Sequence, residues 1–150
     1  ERYIEKALKS RDPGTFAIID CDKFKSVNDT FGHAVGDQVL IEVANCLKRM
    51  NPYGINVRLG GDEFAMYING AMTTEKILDL FEDMFRKIKG IKIDVNDEIS
   101  GIRHEMITPT VSVGAVYYSG TRVTNFDALY RTADALLYQS KKVDGCRVTL

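Results

Sequence analysis

The sequence predicts an α/β (α+β) domain with a single mixed, mainly antiparallel central sheet flanked by helices. Three observations predict it. Short apolar runs of strand length are interleaved with longer stretches whose apolar residues recur at helical spacing. Two of the runs, Ile55 to Leu59 and Phe64 to Ile68, meet at Gly60-Gly61-Asp62-Glu63, a connection suited to a tight antiparallel hairpin. At 150 residues and 45% hydrophobic, the chain suffices for one core, and no repeat, low-complexity tract or linker divides it.

The elements follow in order. Residues 1 to 10 read as a helix with Ile4, Ala7 and Leu8 on one face, broken by Asp12-Pro13-Gly14. Phe16 to Asp20 is a continuous apolar run ending in an acid, which suits a buried central strand. Lys23 to Asn28 is expected as a short helix with Asp22 as its cap, followed by a loop through Gly32 and Gly36. From Asp37 to Met50 the residues Val39, Leu40, Val43, Ala44, Leu47 and Met50 keep a helical period. After the hairpin, Thr73 is placed to cap a helix burying Ile77, Leu78, Phe81, Met84, Phe85 and Ile88. Ile91 to Val95 reads as a strand turning at Asn96-Asp97, and Thr110 to Tyr118 as another. Asn125 to Lys142 is a helix with Phe126, Leu129, Tyr130, Ala133, Leu136 and Leu137 as its core face, and Cys146 to Leu150 is a last edge strand.

Composition narrows the function. Net charge is −1 with both signs mixed along the chain, which argues against a nucleic-acid surface. No apolar run approaches the roughly 20 residues of a membrane span, so no membrane contact is expected of this domain. The cysteines Cys21, Cys46 and Cys146 are far apart and outside metal-ligand spacing, as in a reducing cytosol. His33 and His104 have no Cys-x-x-Cys to complete a zinc site, and a solitary loop histidine such as His33 reads as a hydrogen-bonding strut.

The hairpin carries the chemistry. Two adjacent acids at the tip of a turn are costly unless positive charge sits against them, and a divalent cation with a phosphate is the natural candidate. If the strand ending at Asp20 neighbours the hairpin, its carboxylate faces Asp62 and Glu63. The plain alternative is a solvated turn.

At this point the residues resemble a known family, the GGDEF domain of bacterial diguanylate cyclases. The matching blocks are Asp20-Cys-Asp22-Lys-Phe24-Lys25, Asn28-Asp29, Gly32-His33, Gly36-Asp37, Arg58-Leu-Gly60-Gly61-Asp62-Glu63-Phe64, Thr110-Val-Ser112-Val-Gly114, and Ala133-Asp134 with Leu137-Tyr138 and Lys141. They span nearly the whole chain in family order. The resemblance implies a fold like the palm of nucleotidyl cyclases and polymerases, and synthesis of cyclic di-GMP from two GTP. It implies two Mg2+ ions per GTP, with Mn2+ as an alternative, held by Asp20, Asp62, the backbone carbonyl of Cys21 and Glu63. Asp62, Glu63 and Lys25 form the implied catalytic set. Asn28 and Asp37 are the implied guanine readers, Lys25 and Lys141 the phosphate contacts, and Phe24 packs under the phosphate loop. A carboxylate can accept from both N1–H and the exocyclic amine of guanine, a donor pair adenine lacks. Asp37 read without the family is equally a helix N-cap, Asn28-Asp29 a turn, and the lysines solvated.

The implied partners are GTP, a second copy of the domain related by a two-fold axis, and an upstream sensory region. The family's opening Asp-x-Leu-Thr is missing, so a longer cytoplasmic protein, or the cytosolic part of a membrane sensor, is expected. The chain departs from the family in two further places. Where members with a product-inhibition site carry Arg-x-x-Asp, this chain has Asn51 and Gly54, so no feedback through that site is expected. The usual lysine, two residues, Gly-Arg ending becomes Lys141-Lys142-Val-Asp144-Gly145-Cys146-Arg147, which leaves the phosphate role of Arg147, and the choice of Lys141 or Lys142, open. The alternative function is a non-catalytic domain binding GTP as a regulatory ligand.

Overall fold

The computed structural model describes residues 1–96 and 104–150. Its elements are α1 (Arg2–Lys9), β1 (Gly14–Cys21), α2 (Phe24–Phe31), α3 (His33–Met50), β2 (Ile55–Gly60), β3 (Glu63–Asn69), α4 (Thr74–Lys89), β4 (Ile93–Asn96), β5 (His104–Ile107), β6 (Val111–Tyr118), α5 (Phe126–Ser140) and β7 (Arg147–Thr149). Five strands form the main sheet in the order β2-β3-β1-β6-β7, and β4-β5 make a separate two-stranded ribbon. All main-sheet pairings are antiparallel except β6 with β7. The expected mixed, mainly antiparallel sheet is therefore present. Strand β5 is an element the sequence reading lacks, and the expected turn at Asn96-Asp97 runs into residues outside those described.

β1 is central because every one of its side chains is buried, as a continuous apolar run requires. Alternation along it divides the core in two. Ala17, Ile19 and Cys21 face a layer with Val43, Leu47, Phe81 and Met84 of α3 and α4. Phe16 and Ile18 face the other way, against α1 and the Leu129, Ala133 and Leu137 stripe of α5. Asp20 falls on that second face by parity, and so does Glu63, which lies opposite it across the β1–β3 pairing.

The hairpin turns in two residues, Gly61 and Asp62. Gly61 has φ +53°, a conformation that glycine adopts without the Cβ penalty. Arg58 donates from Nε and Nη2 to the Gly61 carbonyl at 2.9 and 2.6 Å, pinning the turn. Thr73 caps α4 by accepting from Lys76 N at 3.2 Å, and Asn125 caps α5 by accepting from Ala128 N at 2.9 Å.

Three local expectations change. Asp22 does not cap α2; that position is Lys23, at φ +54°, and it makes no side-chain cap bond. The Asp22 carboxylate instead accepts from Thr110 Oγ1 at 2.9 Å and Ser112 Oγ at 2.6 Å, hydroxyls on or beside β6 that outcompete one helical N–H. α3 begins at His33, so Asp37 lies in its second turn and is no N-cap. On α4, Leu78 stays exposed at the edge of an otherwise buried stripe. No helix among the described residues is long and apolar enough to cross a membrane.

Candidate active site

The site lies where β1 ends beside the hairpin. Asp20 pairs with Glu63 across the strands, and Cys21 N donates to the Asp62 carbonyl at 3.1 Å. Three acids distant in sequence thus share one end of the sheet. A cavity of about 460 Å³ there is lined by Asp20, Cys21, Asp22, Lys23, Phe24, Lys25, Asp62 and Lys141, with Val143 and Asp144 at its rim. Phe24 is half-buried against the core below, and Lys25 is exposed at the mouth.

The charges press on one another. Burial holds the Asp20 carboxyl above its ordinary value; the Lys141 hydrogen bond opposes this, and the charges of Asp62 and Glu63 reinforce it. For Lys141 burial pulls downward, but its hydrogen bond to Asp20 and the charges of Asp20, Asp62 and Glu63 outweigh it and raise the ammonium's value. Lys141 Nζ sits 2.7 Å from Asp20 Oδ2. Lys142 turns away and lies 5.1 Å from the centre of the Tyr138 ring, so Lys141 is the lysine at the acids. Arg147 lies elsewhere, in a separate cavity with Arg86 and Lys89 of α4.

These groups suit a divalent cation by chemistry. Asp20, Asp62, Glu63 and the Cys21 carbonyl are hard oxygen donors, and one of the carboxylates already draws an ammonium. Burial, then the charges of Asp62, Asp20 and Asp22, push the Cys21 thiol up to about 12, and its side chain belongs to the opposite core face, so the sulfur is no ligand. Among the described residues no three ligand side chains are close enough to cage an ion by themselves. A divalent cation held there would complete its shell with oxygens from outside the chain, such as phosphate and water.

Asn28 and Asp37 stand apart from this cavity. The Asn28 Oδ1 is buried without a hydrogen-bond partner, directly over Gly36, where any side chain would collide with it. An unpaired buried acceptor is costly and marks a place for a donor. Asp37 is exposed at one end of a larger cavity of about 860 Å³ between α3 and β2, walled by Leu40, Ile41, Val57 and Phe64. His33 merely opens α3, exposed. Asn51 is 6% exposed and is spent on structure: its Nδ2 donates to the Tyr67 carbonyl at 3.0 Å, and its carbonyl accepts from Asn56 Nδ2 at 2.9 Å.

Two residues of the site escaped the sequence reading. Tyr130, expected in the core, is half-buried, and its hydroxyl donates to Glu63 Oε1 at 3.3 Å. Asp22 ties the loop after β1 to β6. Strand parity was the available signal for Tyr130, because it puts Glu63 on the face that α5 covers.

Comparison with known proteins bears on the whole chain. A family model described as "Diguanylate cyclase, GGDEF domain" matches residues 1–145. The probable diguanylate cyclase DgcI of Escherichia coli is 37% identical over 139 residues, covering 91% of this chain and 27% of that protein. The response regulator PleD of Caulobacter vibrioides is 32% identical over 144 residues, covering 94% of this chain and 30% of that protein. Among solved structures, the GGDEF domain of DgcB from Caulobacter crescentus, in complex with c-di-GMP, superposes with a TM-score of 0.82 at 29% identity, covering 99% of this chain and 83% of that one. The chain spans about a third or less of the length of these curated relatives.

Proposed function

The chain belongs to the diguanylate cyclase GGDEF domain family, and on that premise we propose that it condenses two GTP into cyclic di-GMP, releasing two pyrophosphates. The observation that carries the proposal is the meeting of Asp20, Asp62 and Glu63 at one sheet end, with Lys141 against them. Asp20, Asp62, the Cys21 carbonyl and Glu63 would hold Mg2+, or Mn2+ in its place. When bound, such ions supply the charge that activates a 3′-hydroxyl and stabilises leaving pyrophosphate.

The chain's own groups do the rest. Lys141 and Lys25 approach the triphosphate as point charges. Phe24 supports the loop beneath it, and Asp22 keeps that loop tied to β6. The guanine edge is met from two helices: Asn28 Oδ1 on α2, over Gly36, gains a donor, and Asp37 on α3 accepts from the base. Asp62 or Glu63 assists at the attacking hydroxyl. One domain holds one GTP and completes half the reaction. A second copy, two-fold related, brings its hydroxyl to the first α-phosphate, and symmetry makes the two attacks equivalent. A sensory segment elsewhere in a longer, cytoplasmically facing protein would govern that encounter.

The test is purified domain at high concentration with GTP and Mg2+, assayed for cyclic di-GMP and pyrophosphate. Asp62→Asn should abolish both products while leaving the melting temperature unchanged. Turnover surviving in that variant would overturn the metal assignment. A second reading, a non-catalytic GTP-binding module, draws support from Arg147 lying in the α4–β7 cavity, away from the acids. GTP bound without product would favour it.

A further inference from the structure

Tyr130 and Lys141 lie about three turns apart along α5, and each engages one of the site's acids. Lys141 takes Asp20, while Tyr130 Oη donates to Glu63 Oε1 at 3.3 Å. Among the described residues no other side chain is bonded to Glu63. The Tyr130 ring is set by an aromatic cluster, 6.5 Å from the Phe16 ring and 6.0 Å from the Phe126 ring between centres. Its body is therefore fixed by packing, and only the hydroxyl reaches past the apolar layer.

We infer that Tyr130 is a positioning residue: its hydroxyl holds one oxygen of Glu63 so that the other stays turned toward the nucleotide's cation. This inference rests on the cyclase reading above. A carboxylate on a hairpin tip has free rotation about its side-chain torsions, and each unproductive rotamer lowers the fraction ready to bind. A hydroxyl donor on one oxygen leaves the second oxygen's acceptor sites open. A phenol keeps its proton across the neutral range, so Tyr130 remains a donor there. The separation is longer than the usual O–H···O distance, so the contact biases Glu63 rather than locking it. A modest effect follows.

Tyr130→Phe keeps the ring and removes only the donor, so packing is preserved. Binding of a non-reactive GTP analogue with Mg2+, measured by calorimetry, should weaken on the order of fivefold, with the melting temperature unchanged. In a Glu63→Ala background, which removes the acceptor, the same change should have little further effect, because the two residues act as a unit. Without ligand, the carboxyl carbon resonance of Glu63 should shift between wild type and Tyr130→Phe. Analogue affinity equal to wild type, a full loss persisting with Glu63→Ala, or an unmoved Glu63 resonance would each overturn the inference. If wild type itself binds no analogue, the cyclase reading fails and takes the role of Tyr130 with it; a resonance that still shifts would then record a contact without that purpose.

Discussion

Lys141 Nζ and Asp20 Oδ2 stand 2.7 Å apart, joining the end of α5 to the end of the central strand across 121 residues of sequence. The Lys141 side chain is 44% exposed and that of Asp20 only 10%, so the pair sits at a boundary where the lysine has room to swing and the acid does not. Under the proposed function, the ammonium beside Asp20 is the one that incoming phosphate would draw away.

Lys141→Met should therefore weaken the domain's handling of GTP. Losing a charge-assisted phosphate contact corresponds to roughly ten- to a hundredfold in kcat/KM. Initial rates of pyrophosphate release at saturating Mg2+ measure this. An unchanged kcat/KM would remove Lys141 from the site.

Asp20 gives a pH signature. Its folded-state value is raised, chiefly by burial, so above the ordinary value of 3.8 the folded state retains protons that the unfolded chain has released. Stability attributable to Asp20 therefore falls as pH rises through that window. Lys141 does not oppose this at acid pH, since its own value is raised and its contribution is lost only as pH rises through the alkaline range. Urea titrations without metal, run from about pH 4 to pH 7, should show wild type losing stability relative to Asp20→Asn. The reverse slope would contradict the assigned direction.

Asp37 should govern base choice. Asp37→Ala leaves the apolar walls of the larger cavity intact and removes the acceptor for the guanine edge. The preference for GTP over ATP should fall by roughly tenfold or more. Competition binding with the two nucleotides reads the ratio directly, and an unaltered ratio would assign base recognition elsewhere.

Gly114→Ala should unseat α5. A side chain there would meet the Ala133 carbonyl and the Leu137 backbone, with Leu137 Cα at 2.9 Å. Helix backbone cannot move aside as a side chain would, so a cost of about 1–3 kcal/mol or more is expected. Chemical denaturation measures it. Because α5 carries Tyr130 and Lys141, activity should drop together with stability.

Much of the fold was legible because strand and helix periods differ. The run ending at Asp20 gave a central strand, and the stripe Leu129, Ala133 and Leu137 gave a buried helix face. The capping residue Thr73 was legible too, since an N-cap needs only neighbours in sequence. Asp22 was misread for the complementary reason. Its local option was a helix N–H, and the two hydroxyls that win it are 88 and 90 residues away. The β4–β5 ribbon was half legible, because Ile93 and Val95 alternate as strand residues do, while His104-Glu105-Met106-Ile107 shows no such alternation.

The candidate site divides the same way. Residue type and order along the chain determined the family and which three acids are the candidates, since these are properties of the motif itself. Which lysine meets Asp20, where Arg147 lies, and that Tyr130 reaches Glu63 were decided only by the tertiary structure. Such pairings depend on how α5 crosses the sheet, a crossing fixed by backbone contact at Gly114 and by packing on Phe16 and Ile18. Local periodicity fixes which face of a helix is buried; packing against the sheet fixes what the helix's polar residues can touch.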